Sequence, residues 1–460
     1  MFKAVKTQLS YVKRALSNIC IVGAGPAGFY AAQHLAKKVQ ETQIDIIEKL
    51  PVPFGLVRYG VAPDHPEVKN VINTFTKTAQ LPNVNFYGNI ELGKDVSLQE
   101  LRQFYNIVLL TYGADKNRSL NIPGEHLTNV IPARQIVGWY NGLPENKNLK
   151  INLDVETAAI IGQGNVAVDV ARILLTPIEE LQKTDITHFS LERISQSKLK
   201  KVYLIGRRGP LQAAYTIKEL REMLKLKDCV TVWRTKDFDN IGNDIIEKLP
   251  RPKKRIAELM LKSVKEQENL EQAKVFSPVF FRSPVNILGE NCVNQLELAV
   301  NVLKGEDISS QASSMTEEKE LIDCELVISS IGYKSHSVDL SLPFDDKKGI
   351  IQNTKGKVDV GLYTSGWLGT GPVGVILTTM SNAFGVAENI IEDIPKDNLF
   401  NTEKPGFSGL NAILKEKNIQ IVDWTGWEKI DKYEIAQGEK TGKPREKVVD
   451  IKVMLEIAFS

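Results

Sequence analysis

Two turns of the same design constrain this chain of 460 residues more than any other feature: Gly23-Ala-Gly-Pro-Ala-Gly28 and Gly162-Gln-Gly-Asn-Val-Ala167. Each follows a short apolar run with strand character, Asn18-Ile-Cys-Ile-Val22 and Ala158-Ala-Ile-Ile161, and each opens a helical pattern. In such a turn the first glycine permits the tight bend. The second lets the backbone approach a pyrophosphate, and the small third position lets helix and strand pack closely. The helix N-terminus then offers free N–H groups and a positive dipole end to phosphates. Strand, turn and helix in this order predict an α/β protein with two Rossmann-like dinucleotide-binding domains.

The strands that follow the two turns end differently. Ile44-Asp-Ile-Ile47 ends at Glu48, where an acid accepts hydrogen bonds from ribose hydroxyls. Lys201-Val-Tyr-Leu-Ile205 ends in Gly206-Arg-Arg-Gly209. An acid there would repel a 2′-phosphate, whereas Arg207 and Arg208 would clamp it with charge-assisted, forked hydrogen bonds. The second site is therefore expected to prefer NADP over NAD. Residues 176–200 lengthen the usual spacing between the turn and this strand.

Val108-Leu-Leu-Thr-Tyr-Gly-Ala114 is similar to Val327-Ile-Ser-Ser-Ile-Gly-Tyr333. The similarity suggests that the chain leaves the first domain near 115–150 and re-enters it near 325, so that the second domain is an insertion. The expected boundaries are 1–17, 18–115, 116–324 and 325–460. After the return, Val358–Trp367 is strand-like, and a glycine-rich turn over Gly369–Gly374 leads into a helix through Val375 and Ile376. Ser309–Glu320 is polar and reads as a surface loop.

Residues 1–17 carry Lys3, Lys6, Lys13 and Arg14 and no acid, with Phe2, Val5, Leu9, Val12 and Leu16 on one helical stripe. A basic amphipathic leader of this kind is the mark of a mitochondrial transit peptide. Net charge is +2, which gives no bulk attraction to nucleic acid, and no apolar run reaches the length of a membrane span. The four cysteines include no C-x-x-C, so neither a zinc site nor a redox-active disulfide has support.

Longer motifs carry a resemblance. PFGLVRYGVAPDHPEVKNVIN (53–73), GQGNVAVD (162–169), GRRGPLQAAYTIKELRE (206–222), FFRSP (280–284), SSIGYK (329–334), GPVGVILTTM (371–380) and GKPREK (442–447) resemble the mitochondrial NADPH:adrenodoxin (ferredoxin) oxidoreductases. The resemblance covers nearly the whole chain. It implies a glutathione-reductase-like fold, with an NADP domain inserted into a discontinuous FAD domain. It implies one FAD, NADPH as donor and an acidic [2Fe–2S] ferredoxin as acceptor, supplying P450 or iron–sulfur cluster pathways. A matrix location is implied, with peripheral association to the inner membrane left open.

By position, the FAD contacts of the family fall on Ala27, Glu48, Leu56, Ile90, Trp367, Gly374, Val375 and Ile376, beside Gly23, Gly25 and Gly28 of the turn. The NADP contacts fall on Gln163, Gly164, Asn165, Val166, Arg207, Arg208, Glu219 and Gly374. Many relatives carry Lys-Arg before the Gly-Pro, where Leu368-Gly369-Thr370 stands here, so any role of those charges is in doubt for this chain. His65 and Asp169 are the candidates for a proton relay. Arg251, Lys253, Lys254 and Arg255 form the densest basic run, expected to dock the ferredoxin ahead of a polar helix from Ile256. A disulfide reductase is disfavoured by the missing C-x-x-C. A flavin monooxygenase would betray itself by oxygen-coupled turnover, and a non-catalytic nucleotide-binding protein by failure to reduce dyes.

Overall fold

The computed structural model describes residues 17–39, 41–267, 273–308 and 311–460. The basic leader lies outside the described residues apart from Ser17, which already begins the first strand. Two compact units interleave along the chain. The first comprises residues up to Phe54, then Ile72–Ala114 and Ser335–Trp427; the second comprises Gly55–Val71, Asp115–Lys334 and Glu428–Ser460.

The first unit is built on a seven-stranded sheet in the order Lys357–Asp359, Leu362–Thr364, Ile107–Leu110, Ser17–Val22, Thr42–Glu48, Val84–Gly88, Val422–Asp423. The five inner strands are parallel, and the two edge strands antiparallel. Central strands buried on both faces need continuous apolar runs, and Ile19, Ile21, Ile44, Ile46, Val108 and Leu110 are fully buried. The order in which strands are added reverses at Ser17–Val22: Thr42–Glu48 and Val84–Gly88 lie to one side and the parallel Ile107–Leu110 to the other. That is the switch point at which open α/β sheets bind ligands, beyond the carboxyl ends of the strands.

The second unit repeats the plan with six parallel strands in the order Val130–Pro132, Leu326–Ser329, Thr157–Ile161, Lys201–Ile205, Lys274–Val279, Cys229–Thr231. Here the switch point lies between Thr157–Ile161 and Leu326–Ser329. The similar segments Val108–Ala114 and Val327–Tyr333 are thus equivalent strands of two separate sheets. The second does not mark re-entry into the first unit, which resumes at Ser335, and residues 428–460 also belong with the second unit. An antiparallel sheet of Arg282–Leu288, Gln295–Lys304 and Ala312–Asp323 completes this unit.

The segment expected to be a surface loop is therefore largely an edge strand. An edge strand pairs its backbone on one side without burying its side chains, so Ala312–Asp323 stays polar and mostly exposed. The insertion after the second turn holds two short helices, Ile178–Leu181 and His188–Ser195.

Residues 442–447 are pulled inward. Lys443 and Lys447 are buried, Lys447 Nζ lies 3.0 Å from Asp185, and Asp185 also pairs with Lys69 at 2.6 Å. Arg58 binds Glu434 at 2.5 Å, both nearly inaccessible. The GKPREK motif thus clasps the C-terminal segment to the second unit.

Candidate functional site

In the first unit, Gly23 adopts φ +110°, and a Cβ there would lie 2.7 Å from the carbonyl oxygen of Thr111. A Cβ on Gly28 would fall 2.1 Å from the carbonyl oxygen of Gly23, so helix Pro26–Lys38 touches the strand backbone. Gly25 is different. A Cβ there would meet no atom within 4 Å, and its φ of −89° is open to any residue. Nothing in the fold requires glycine at 25, but a pyrophosphate lying on that backbone would.

Glu48 Oε2 accepts from the Ala24 N–H at 2.9 Å and Oε1 from the Leu50 N–H at 3.2 Å. Burial pushes its carboxyl above the usual range, against the pull of those bonds. The Ile90 N–H donates to the Glu48 carbonyl at 2.9 Å, which sets Ile90 beside the acid. A Cβ on Gly366 would approach the Ala27 Cβ to 2.7 Å, so the short helix Trp367–Thr370 starts against the first helix. Helix Ile376–Lys396 packs along Pro26–Lys38, with Tyr30 edge-on to Phe384 at 5.8 Å. It starts after Val375 with no side-chain cap, beside the exposed Val373, Gly374 and Val375. Its free N–H groups favour negative charge. Of the expected FAD residues, only Leu56 lies in the second unit, in helix Gly55–Tyr59.

The second unit has a matching cradle. Gly162 adopts φ +136°, with a Cβ position 2.1 Å from the Ser330 carbonyl oxygen. Gly164 again leaves open space where a Cβ would stand. Gln163 Nε2 donates to the Leu204 carbonyl at 3.0 Å, while its buried Oε1 has no partner. Asn165 Oδ1 accepts from the Thr216 N–H at 2.8 Å, and Val166 follows in helix Asn165–Leu175. Arg207 is exposed and Arg208 half-buried directly after Lys201–Ile205. Their carbonyls are held by Asn301 Nδ2 at 2.7 Å and by the Phe281 N–H at 3.0 Å. Gly374, expected at this site as well, belongs to the first unit.

His65, Asp169 and Glu219 come together in the second unit around a residue the sequence reading overlooked, Arg172. Its guanidinium, 4% exposed, reaches Asp64 at 2.5 Å, Asp169 at 2.8 Å and Glu219 at 3.0 Å. His65 Nε2 lies 2.7 Å from Glu222 and 3.1 Å from Arg172 Nη2. With a proton on Nε2 it donates to Glu222; without one it accepts from Arg172. Burial would raise the Asp64 carboxyl, but the Arg172 guanidinium outweighs that and holds it low. Glu219 is pushed up to about 8, first by burial and then by the neighbouring Asp169. The His65, Asp169 and Glu219 ligand atoms lie within 4.8 Å of one another. A metal ion has little call on them, because Arg172 already supplies the cation. Arg172 was legible as the one charge on the buried face of an apolar helix.

The basic run opens helix Arg251–Lys265 and does not precede it. Arg251 and Arg255 are exposed, and Lys254 bonds Glu247 at 2.8 Å. Lys253 turns inward and donates to the Ala213 carbonyl. Among the described residues, no helix is long and apolar enough to cross a membrane.

Comparison with known proteins agrees with this arrangement. Residues 17–227 match a family described as pyridine nucleotide-disulphide oxidoreductase. The chain is similar to the mitochondrial NADPH:adrenodoxin oxidoreductase of Drosophila melanogaster, 52% identical over 96% of this chain and 93% of that protein. It is 50% identical to that of Homo sapiens over 95% and 91%, and 43% identical to that of Arabidopsis thaliana over 96% and 95%. The structure of Mycobacterium tuberculosis FprA in complex with NADPH superposes with a TM-score of 0.92 at 34% identity, covering 96% of this chain and all of that one. With its two glycine cradles and this likeness along nearly its whole length, the chain belongs to the family of mitochondrial NADPH:adrenodoxin oxidoreductases.

Proposed function

We propose that this protein binds FAD on its first unit and NADPH on its second, and passes electrons from NADPH to an adrenodoxin-type [2Fe–2S] ferredoxin in the mitochondrion. The observation that carries this reading is the pair of bare backbones at Gly25 and Gly164, each at the switch point of a parallel sheet. Only the second is followed by an arginine pair. Bound FAD supplies the chemistry that converts a two-electron donor into a source of single electrons.

The chain's own part is to bind and orient. Gly23, Gly25 and Gly28 cradle a pyrophosphate, and Ala27, Ile90 and Trp367 flank it. Glu48 faces the adenosine ribose. The start of helix Ile376–Lys396, with Gly374 and Val375, favours negative charge. Gln163, Gly164, Asn165 and Val166 receive the second nucleotide, Arg207 and Arg208 its 2′-phosphate, and Glu219 completes that set. His65 and Asp169 relay a proton; His65 Nε2 donates to Glu222 when it carries one and accepts from Arg172 when it does not. Exposed Arg251 and Arg255, with Lys254, steer the acidic partner. We place the protein in the matrix, with any inner-membrane association peripheral.

The test is purification with flavin bound, then NADPH-dependent reduction of cytochrome c with and without a mitochondrial ferredoxin. Strong stimulation by the ferredoxin is expected. Equal rates with and without it would contradict the reading.

A further inference from the structure

We propose that Lys253 is a third cation of the 2′-phosphate site, beside Arg207 and Arg208, and so a determinant of the preference for NADPH. This rests on the reading of the arginine pair given above. Lys253 stands in the first turn of helix Arg251–Lys265, among basic neighbours that face elsewhere. Lys254 reaches both carboxylate oxygens of Glu247 at 2.8 Å, and Arg251 and Arg255 are exposed. Lys253 is half-buried, and its Nζ donates to the carbonyl of Ala213, in the segment that carries the two arginines.

That segment is pinned to the second glycine turn. The Ala214 N–H donates to the Gln163 carbonyl at 3.0 Å, and the Thr216 N–H donates to Asn165 Oδ1 at 2.8 Å. Leu211, Leu249 and Ala257 form a small core that fixes the segment to the helix. Glycine turn, arginine turn and helix start are thus one packed corner. Burial, and then the nearby positive charge of Arg208, hold the Lys253 ammonium below its ordinary range. Among the described residues, no acid forms an ion pair with Arg207, Arg208 or Lys253.

Arg208 and Lys253 are close enough for their charges to repel, Arg207 adjoins Arg208 in the chain, and an anion placed among them relieves that repulsion. A phosphate monoester near neutral pH carries about −1.5 to −2 charges, more than one guanidinium neutralises. Arginine supplies the forked geometry and lysine a compact point charge. Lys253 Nζ is held at the Ala213 carbonyl, whereas Arg251 and Arg255 are exposed.

The experiment compares wild-type holoenzyme with Lys253→Gln and Lys253→Arg. Glutamine keeps an N–H donor for the Ala213 carbonyl and removes the charge; arginine keeps the charge. Calorimetric titration with adenosine 2′,5′-bisphosphate and with adenosine 5′-monophosphate reads the phosphate directly. Lys253→Gln should bind the bisphosphate about tenfold more weakly, the low end for a hydrogen bond to a charged group. Its binding of the monophosphate should be unchanged, and Lys253→Arg should restore the bisphosphate affinity. If Lys253→Gln does not fold, Lys253→Met serves in its place. Undiminished bisphosphate affinity, or equal loss for both nucleotides, would overturn the proposal. So would a variant that differs only in its Michaelis constant for ferredoxin. A wild type that fails to prefer the bisphosphate would instead bring down the reading of the arginine pair itself.

Discussion

Arg172 Nη1 lies 3.0 Å from Glu219 Oε2, inside a second unit where the same guanidinium also binds Asp64 and Asp169. Removing the guanidinium leaves the buried Asp64 and Asp169 carboxylates without their counter-charge, and breaking a buried ion pair costs about 3–5 kcal/mol. Arg172→Met, which keeps most of the volume, should therefore lower unfolding stability by that order. Urea denaturation of the holoenzyme measures it. A variant as stable as wild type would mean that Asp64 and Asp169 are solvated in the native state and do not depend on Arg172 for their counter-charge.

The raised Glu219 carboxyl predicts a pH dependence of definite sign. The folded chain keeps this proton up to about pH 8, whereas an unfolded glutamate loses it near ~4.3. Between those values the folded state binds more protons, so this residue's contribution to stability falls as pH rises. Melting temperature followed from pH 6 to 9 should decline less in Glu219→Gln than in wild type. Parallel curves would refute the assignment.

Arg207 and Arg208 follow the second strand with their carbonyls fixed by Phe281 and Asn301. Replacing both with alanine should weaken NADPH binding by roughly 2–4 kcal/mol, since a hydrogen bond to a charged group contributes about 1.5–3. NADH use should barely change. Equal losses for the two nucleotides would take the pair away from the 2′-phosphate.

Docking of the ferredoxin is predicted to depend on Arg251 and Arg255. Steering by exposed charge acts mainly on association rate and is screened over a Debye length of ~8 Å at physiological ionic strength. Arg251→Glu with Arg255→Glu should raise the Michaelis constant for ferredoxin and flatten its salt dependence. Ferricyanide reduction, which needs no docking, should stay near wild type. A matching fall in both activities would make the run structural.

Much of this was legible in the sequence because glycine turns, strand-end acids and arginine pairs are local: their chemistry lies within a few residues. Glu48 and Arg207 could be read in that way. The Arg172 cluster could not, since Asp64, His65, Asp169, Glu219 and Glu222 come from three distant stretches that only the fold assembles. The likeness of Val108–Ala114 to Val327–Tyr333 was visible, but its meaning was not. Equivalent strands of two sheets and two passes through one sheet look alike in sequence, and only the parallel pairing of Leu326–Ser329 with Thr157–Ile161 separates them. The strand Ala312–Asp323 was hidden because an edge position does not impose apolar alternation.

The most direct test of one nucleotide on each unit is a pair of valine variants, Gly25→Val and Gly164→Val. Both glycines have extended backbones open to valine, with φ of −89° and −96°, and no atom within 4 Å of the added Cβ. Both variants should therefore fold, in contrast to Gly28→Val, whose Cβ would strike the Gly23 carbonyl. Flavin absorbance and NADPH titration of the purified proteins decide the matter. Gly25→Val should be colourless yet still bind NADPH, and Gly164→Val should be yellow but not bleached by NADPH. A fully flavinylated Gly25→Val, or a Gly164→Val that NADPH reduces as readily as wild type, would contradict one nucleotide on each unit.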